Sequence, residues 1–120
     1  MARLELQTTN LTQDFTDATN GPLTPHGSQT FTFATLTTGQ VSVQLISLNP
    51  DGPLGQTVGL LLGVLDSSGG CQTVVHNDRV TLSSLVAAQA TAAGSLCTSI
   101  YDSTGTLPGP ELFDIQVSHP

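Results

Sequence analysis

A chain of 120 residues has room for one domain, and with four Phe, one Tyr and no Trp its core must be built mainly from aliphatic side chains. Nine carboxylates stand against two basic residues, Arg3 and Arg79, too few to form the patch that displaces counterions from nucleic-acid phosphates or holds an anionic membrane surface. Charged residues make up only 9% of the chain, against roughly a quarter in an ordinary domain, so Thr, Ser, Asn and Gln supply the polarity, as suits an extracellular surface or an ordered assembly.

In chain order, Met1-Ala-Arg-Leu-Glu-Leu6 places Glu5 where the apolar stretch of a signal peptide would begin, so no signal is read. The chain is then cytosolic, a mature exported form, or an excised domain. Residues 1–20 read as an edge or docking strand followed by a polar loop, ahead of a sandwich domain over residues 21–120. In Leu4-Glu-Leu-Gln-Thr8 the two Leu share one face, the pattern of a strand that can add to an open sheet edge. Leu4, Leu6, Leu11 and Phe15 cannot form a core alone, and leaving each in water would forgo roughly 1.5–3 kcal/mol. They are expected to pack on a sheet, the chain's own or another subunit's. Asn10-Leu-Thr12 is a formal N-glycosylation sequon. Asp14 and Asp17, close together in the polar loop, are the candidates for an interstrand Ca²⁺ site. Turn capping is the simpler reading for both, as for Asp51, Asp66, Asp78 and Asp102, all placed in turns.

Strands follow. Gln29–Thr35 alternates with Phe31 and Phe33 on one face, and Gln40–Ile46 with Val41, Val43 and Leu45 inward. The short Leu36-Thr-Thr-Gly39 between them predicts a hairpin. Val58–Leu65 is apolar on both faces and too short to cross a bilayer, which predicts a central strand. Ser84–Gly94 suits a short helix by its Ala content and a strand by its apolar positions and β neighbours; a strand or extended segment is expected. Leu96–Tyr101 is a further strand, and Phe113, Ile115 and Val117 alternate with polar residues in the last. Alternation with one polar face indicates antiparallel sheets half open to solvent. Val64-Leu-Asp-Ser-Ser-Gly69 and Ile100-Tyr-Asp-Ser-Thr-Gly105 share a form in which Asp caps a strand-ending turn and Gly supplies positive φ.

Two cysteines, Cys71 and Cys97, cannot make a four-ligand zinc site, and no Cys-x-x-Cys is present. A disulfide between them is expected, with two separate buried thiols as the alternative. A disulfide would imply an oxidising compartment. His26, His76 and His119 are scattered without metal-ligand spacing and read as surface residues. No Gly-x-Ser-x-Gly elbow occurs and no local context activates a hydroxyl, so neither catalysis nor a resident cofactor is expected.

The series Gly27-Ser-Gln-Thr-Phe-Thr-Phe33, Gly39-Gln-Val-Ser-Val-Gln-Leu45, Leu60-Leu-Leu-Gly63, Ala93–Asp102 and Phe113-Asp-Ile-Gln-Val117 resembles the bacterial pre-peptidase C-terminal domain over roughly residues 21 to 118. Leu96 stands where members often carry an aromatic. The resemblance implies an antiparallel β-sandwich of jelly-roll type with eight or nine strands, an accessory domain of secreted proteins with no catalytic residue. The expected role is an extracellular structural subunit that self-associates. The alternative is a monomeric binding module for carbohydrate, another exported protein or Ca²⁺, its carbohydrate version weakened by the shortage of aromatics.

Overall fold

The computed structural model describes residues 11–49, 58–81, 83–102, 105 and 110–120. Leu4, Leu6, Asn10 and Asp51 lie outside the described residues. The elements are β1 (Leu11–Thr16), the single helical turn α1 (Asp17–Asn20), β2 (Ser28–Thr35), β3 (Gly39–Asn49), β4 (Val58–Leu65), β5 (Cys71–Val80), β6 (Leu85–Ala90), β7 (Gly94–Tyr101) and β8 (Leu112–His119). They form two four-stranded sheets, β1-β8-β3-β6 and β2-β7-β4-β5, with every pairing antiparallel. The chain changes sheet at each connection except β4–β5, the winding of an eight-stranded jelly roll.

Alternation places the core. Phe31 and Phe33 of β2, Val41, Val43 and Leu45 of β3, Leu60 and Leu62 of β4, Ile100 of β7 and Phe113, Ile115 and Val117 of β8 are buried between the sheets. Their polar neighbours on β2, β3 and β8 face outward or lie half-buried, as expected for sheets with one wet face.

The predicted hairpin does not form. β2 pairs with β7, β3 pairs with β6 and β8, and Leu36–Thr38 carries the chain from one sheet to the other. A period of two says which face is buried but not which strand lies alongside. The Phe pair of β2 and the Val pair of β3 satisfy it from opposite sheets, both buried in the same core. The crossing packs on the end of β8: Leu36 N–H donates to the Pro120 carbonyl (3.4 Å), and a Cβ on Gly39 would lie 2.7 Å from Pro120 Cγ.

The polar loop expected before residue 20 is also corrected. Residues 11–16 are an edge strand of the chain's own first sheet, in register with β8 from Leu11↔His119 to Thr16↔Asp114. The sandwich therefore includes residues the sequence assigned to a separate segment. Phe15 packs within the chain, its ring stacked on Phe31 at 4.9 Å and 6.5 Å from Phe33, while Leu11 is exposed. β4 is central, as predicted, and Ser84–Gly94 supplies the edge strand β6 rather than a helix. β5 has no clean alternation to announce it, because register shifts against β4 at Val58/Leu60 and Leu62/Gly63 break the period.

Candidate functional site

Along the flank where β6 faces β5 the sheets part into a cleft of about 490 Å³. The register of β6 on β3 runs Val43↔Val86, Val41↔Ala88 and Gly39↔Ala90, so the inward side chain of β6 shrinks from Val to Ala along the strand. Stacked sheets keep a spacing of about 10 Å, and Ala cannot fill it. The Ala92-Ala-Gly94 turn prolongs the small-residue wall, and Leu62, Val64, Val74 and Leu96 face it. The described lining holds no charged and no aromatic side chain. Val64 and Val74 are 47% and 64% exposed at its mouth, unfavourable positions for branched apolar residues unless something covers them.

Behind this flank Cys71 and Cys97 are disulfide-bonded, Cα atoms 5.9 Å apart. The bond joins β5 to β7 across the intervening β4, where Gly63 pairs with Cys97. A Cβ at Gly63 would lie 2.3 Å from the Gln72 carbonyl oxygen and 3.0 Å from Cys71 Sγ. A bare backbone at this position thus lets β5 begin close over β4 and brings the two sulfurs together.

A second bracing unit lies on the outer face of the same sheet. The Tyr101 ring covers Gly59, whose absent Cβ would fall 2.2 Å from it, and its hydroxyl donates to Asp78 Oδ1. His76 Nδ1 meets the same carboxylate oxygen at 3.1 Å. The Tyr101 and His76 contacts hold the Asp78 carboxyl below the usual carboxylate range, while burial and the Asp78 charge push the Tyr101 phenol above its ordinary value. At neutral pH Tyr101 is therefore a fixed hydrogen-bond donor tying β7 to β5. Asp78 lies within β5 and not in the turn the sequence suggested.

The turn carboxylates divide. Asp66 accepts from Ser68 N–H and hydroxyl (2.9 and 2.6 Å), from Gly70 N–H (2.8 Å) and from the Gln72 amide (2.8 Å), which holds its carboxyl well below the usual range. It closes the β4–β5 hairpin with Gly69 at positive φ. Asp102 ends β7 without closing a hairpin. Buried, it accepts from the backbone of His26 (3.1 Å) and Gly105 (3.0 Å) and pins two loops together.

The Ca²⁺ candidates are not assembled into a site. Asp14 sits in β1 and accepts from Gln116 Nε2 at 3.4 Å, and Asp17 opens α1 and accepts from Phe113 N–H at 3.3 Å. Among the described residues no group of three or more His, Cys, Asp or Glu could hold a metal ion. His26 and His76 are exposed as expected, but His119 is 4% exposed. Its Nε2 lies 2.9 Å from Gln13 Oε1, its Nδ1 3.1 Å from the Pro120 carbonyl, and its ring 5.3 Å from Phe33. The approach of β1 to β8 encloses it. The cleft was missed at the sequence level; its one signal was the Ala-rich stretch after Ser84, compositionally odd beside its Val- and Leu-rich neighbours.

Fold and site define a jelly-roll β-sandwich domain with one disulfide and an open apolar flank. Neither the protein-family models nor the curated proteins include a match to the chain. Among the described residues no helix is long and apolar enough to cross a membrane, and the disulfide is consistent with an oxidising environment.

Proposed function

We propose that this protein is a non-catalytic extracellular structural subunit that self-associates, joining copies by strand addition at open sheet edges. One observation carries the reading: the apolar cleft between two edge strands, with Val64 and Val74 presented at its mouth. A sheet edge offers unpaired backbone donors and acceptors to another strand, and an apolar cleft beside it rewards a strand with one apolar face. The net charge of −7 opposes close approach of copies, so strand pairing and apolar burial must outweigh that repulsion. The segments that resemble the pre-peptidase C-terminal domain fall on β2, β3, β4, β7 and β8 and their immediate flanks. On this reading the chain is a sandwich of that type used for assembly outside the cell.

Light scattering of the purified, oxidised chain over a range of concentrations tests the proposal. Mass rising above the monomer with concentration is the expected result, and a chain that stays monomeric at high concentration rules self-association out.

A further inference from the structure

Natural edge strands are protected by charges, prolines, bulges or cover, and the four edges of this sandwich differ in that respect. β5 carries Asp78 and Arg79 and two register shifts against β4. β1 carries Asp14. β2 has no charge, but the space beneath it is filled by Phe31 and Phe33, with Phe15 stacked against them. β6, Leu85-Val-Ala-Ala-Gln-Ala90, has neither charge nor proline, pairs with β3 in unbroken register from Gly39↔Ala90 to Gln44↔Leu85, and is the one edge that, among the described residues, combines an unguarded strand with open space beneath it.

We infer that β6 and the cleft beside it are the acceptor for residues 4–8 of a second copy, whose Leu4 and Leu6 enter the cleft in front of Ala88 and Ala90. This rests on the self-association proposed above and names the surface and the occupant. A strand added to β6 extends the first sheet across the open flank and turns alternate side chains toward Val64 and Val74. Leu4 and Leu6 have that spacing, about 6.7 Å along a strand, and the small wall of β6 leaves room for branched side chains. Local charge does not oppose the assignment. The chain carries net −7 with two basic residues, and one of these, Arg3, precedes Leu4. Arg3 and Glu5 cancel in charge and alternate with Leu4 and Leu6, so an added strand brings no net charge and turns only its Leu face to the uncharged cleft.

Donor and acceptor lie on opposite flanks. Residues 1–10 lead into β1, at the far edge of the first sheet from β6, and ten extended residues reach up to about 33 Å. A contact between unlike surfaces on opposite sides repeats from copy to copy, and unless the rotation closes a ring it gives an open, linear assembly.

Two full-length variants test this. Leu4→Asp/Leu6→Asp blocks the donor and leaves the cleft. Ala90→Arg blocks the cleft and leaves the donor, with Val74→Lys, at an exposed position, as a second cleft block should Ala90→Arg fail to fold. Each is checked by circular dichroism and for its intact disulfide. By light scattering the parent chain is expected to grow without limit as concentration rises. Each variant alone should lose all species above the monomer, and an equal mixture of donor-blocked and cleft-blocked chains should stop at a dimer. Folded cleft-blocked chains that assemble like the parent, or a mixture that remains monomeric, overturn the acceptor assignment while leaving self-association standing. A parent chain that stops at a dimer overturns the head-to-tail geometry, and a parent that is monomeric throughout overturns self-association and the inference with it.

Discussion

The two flanks of this sandwich have the same architecture and opposite fillings. Where β1 faces β2, Phe15, Phe31, Phe33 and Phe113 pack ring on ring, with centroids 4.9 to 6.5 Å apart, and His119 caps Phe33. Where β6 faces β5, the corresponding inward positions of β6 are Ala88 and Ala90, and the gap stays open. Sheet spacing is set by the backbone layers and their shared core, so it cannot shrink locally to suit small residues. Side-chain volume at two or three inward positions thus decides whether a flank becomes core or cleft.

The comparison breaks most visibly at the closed flank. Phe31→Ala removes a ring that touches both Phe15 and Phe113. It is expected to cost about 3–5 kcal/mol in urea unfolding of the oxidised chain; a loss near zero would mean this flank is no better packed than the other. Reduction of Cys71–Cys97, which spans 26 residues of sequence, is expected to cost roughly 3.5 kcal/mol by chain entropy, read as a lowered urea midpoint in reductant. Gly63→Ala drives a Cβ into backbone that cannot swing aside. A loss of about 1–3 kcal/mol is expected, together with slower disulfide formation on refolding, followed by thiol alkylation.

Ala88→Leu sharpens the contrast, because its sign differs on the two flanks. Added volume at a packed site destabilises, whereas in an open cleft it fills space and is expected to stabilise by about 0.5–2 kcal/mol. A loss in thermal or urea unfolding would show that the cleft closes in solution.

The smallest effects are electrostatic and separate the sheets instead of the flanks. Asp66 is depressed in the folded state, so its contribution is present above the ordinary carboxylate pKa and is lost as pH falls through its lowered value. Asp114 is raised, by burial and then by the charge of Asp14, so its sign is opposite: what it contributes when protonated is lost as pH rises through the carboxylate range. Asp114→Asn is therefore expected to raise the urea midpoint slightly at neutral pH and to make no difference well below that range. Asp66→Asn should lower it at neutral pH.

Much of this fold was legible before any coordinates. Alternation at Phe31/Phe33, Val41/Val43/Leu45 and Phe113/Ile115/Val117 named the buried face of three strands, because each step along a strand reverses the side chain. The two-sided apolarity of Val58–Leu65 marked the strand enclosed by neighbours. Asp66 before Ser-Ser-Gly announced a carboxylate-capped turn, and two cysteines without a metal-binding pattern announced their bond. These are local facts, decided by residues within a few positions of one another or by the simplest pairing in the chain. Partnership was not local. β2 and β3 fell in opposite sheets, β5 hid behind two register shifts, and Phe15, His119 and the Ala pair of β6 acquired their surroundings from strands distant in sequence. Apolar alternation gives a strand a buried face but no preference between a partner alongside and one across the core. That choice, and with it the closed flank and the open one, came from the winding of the whole chain.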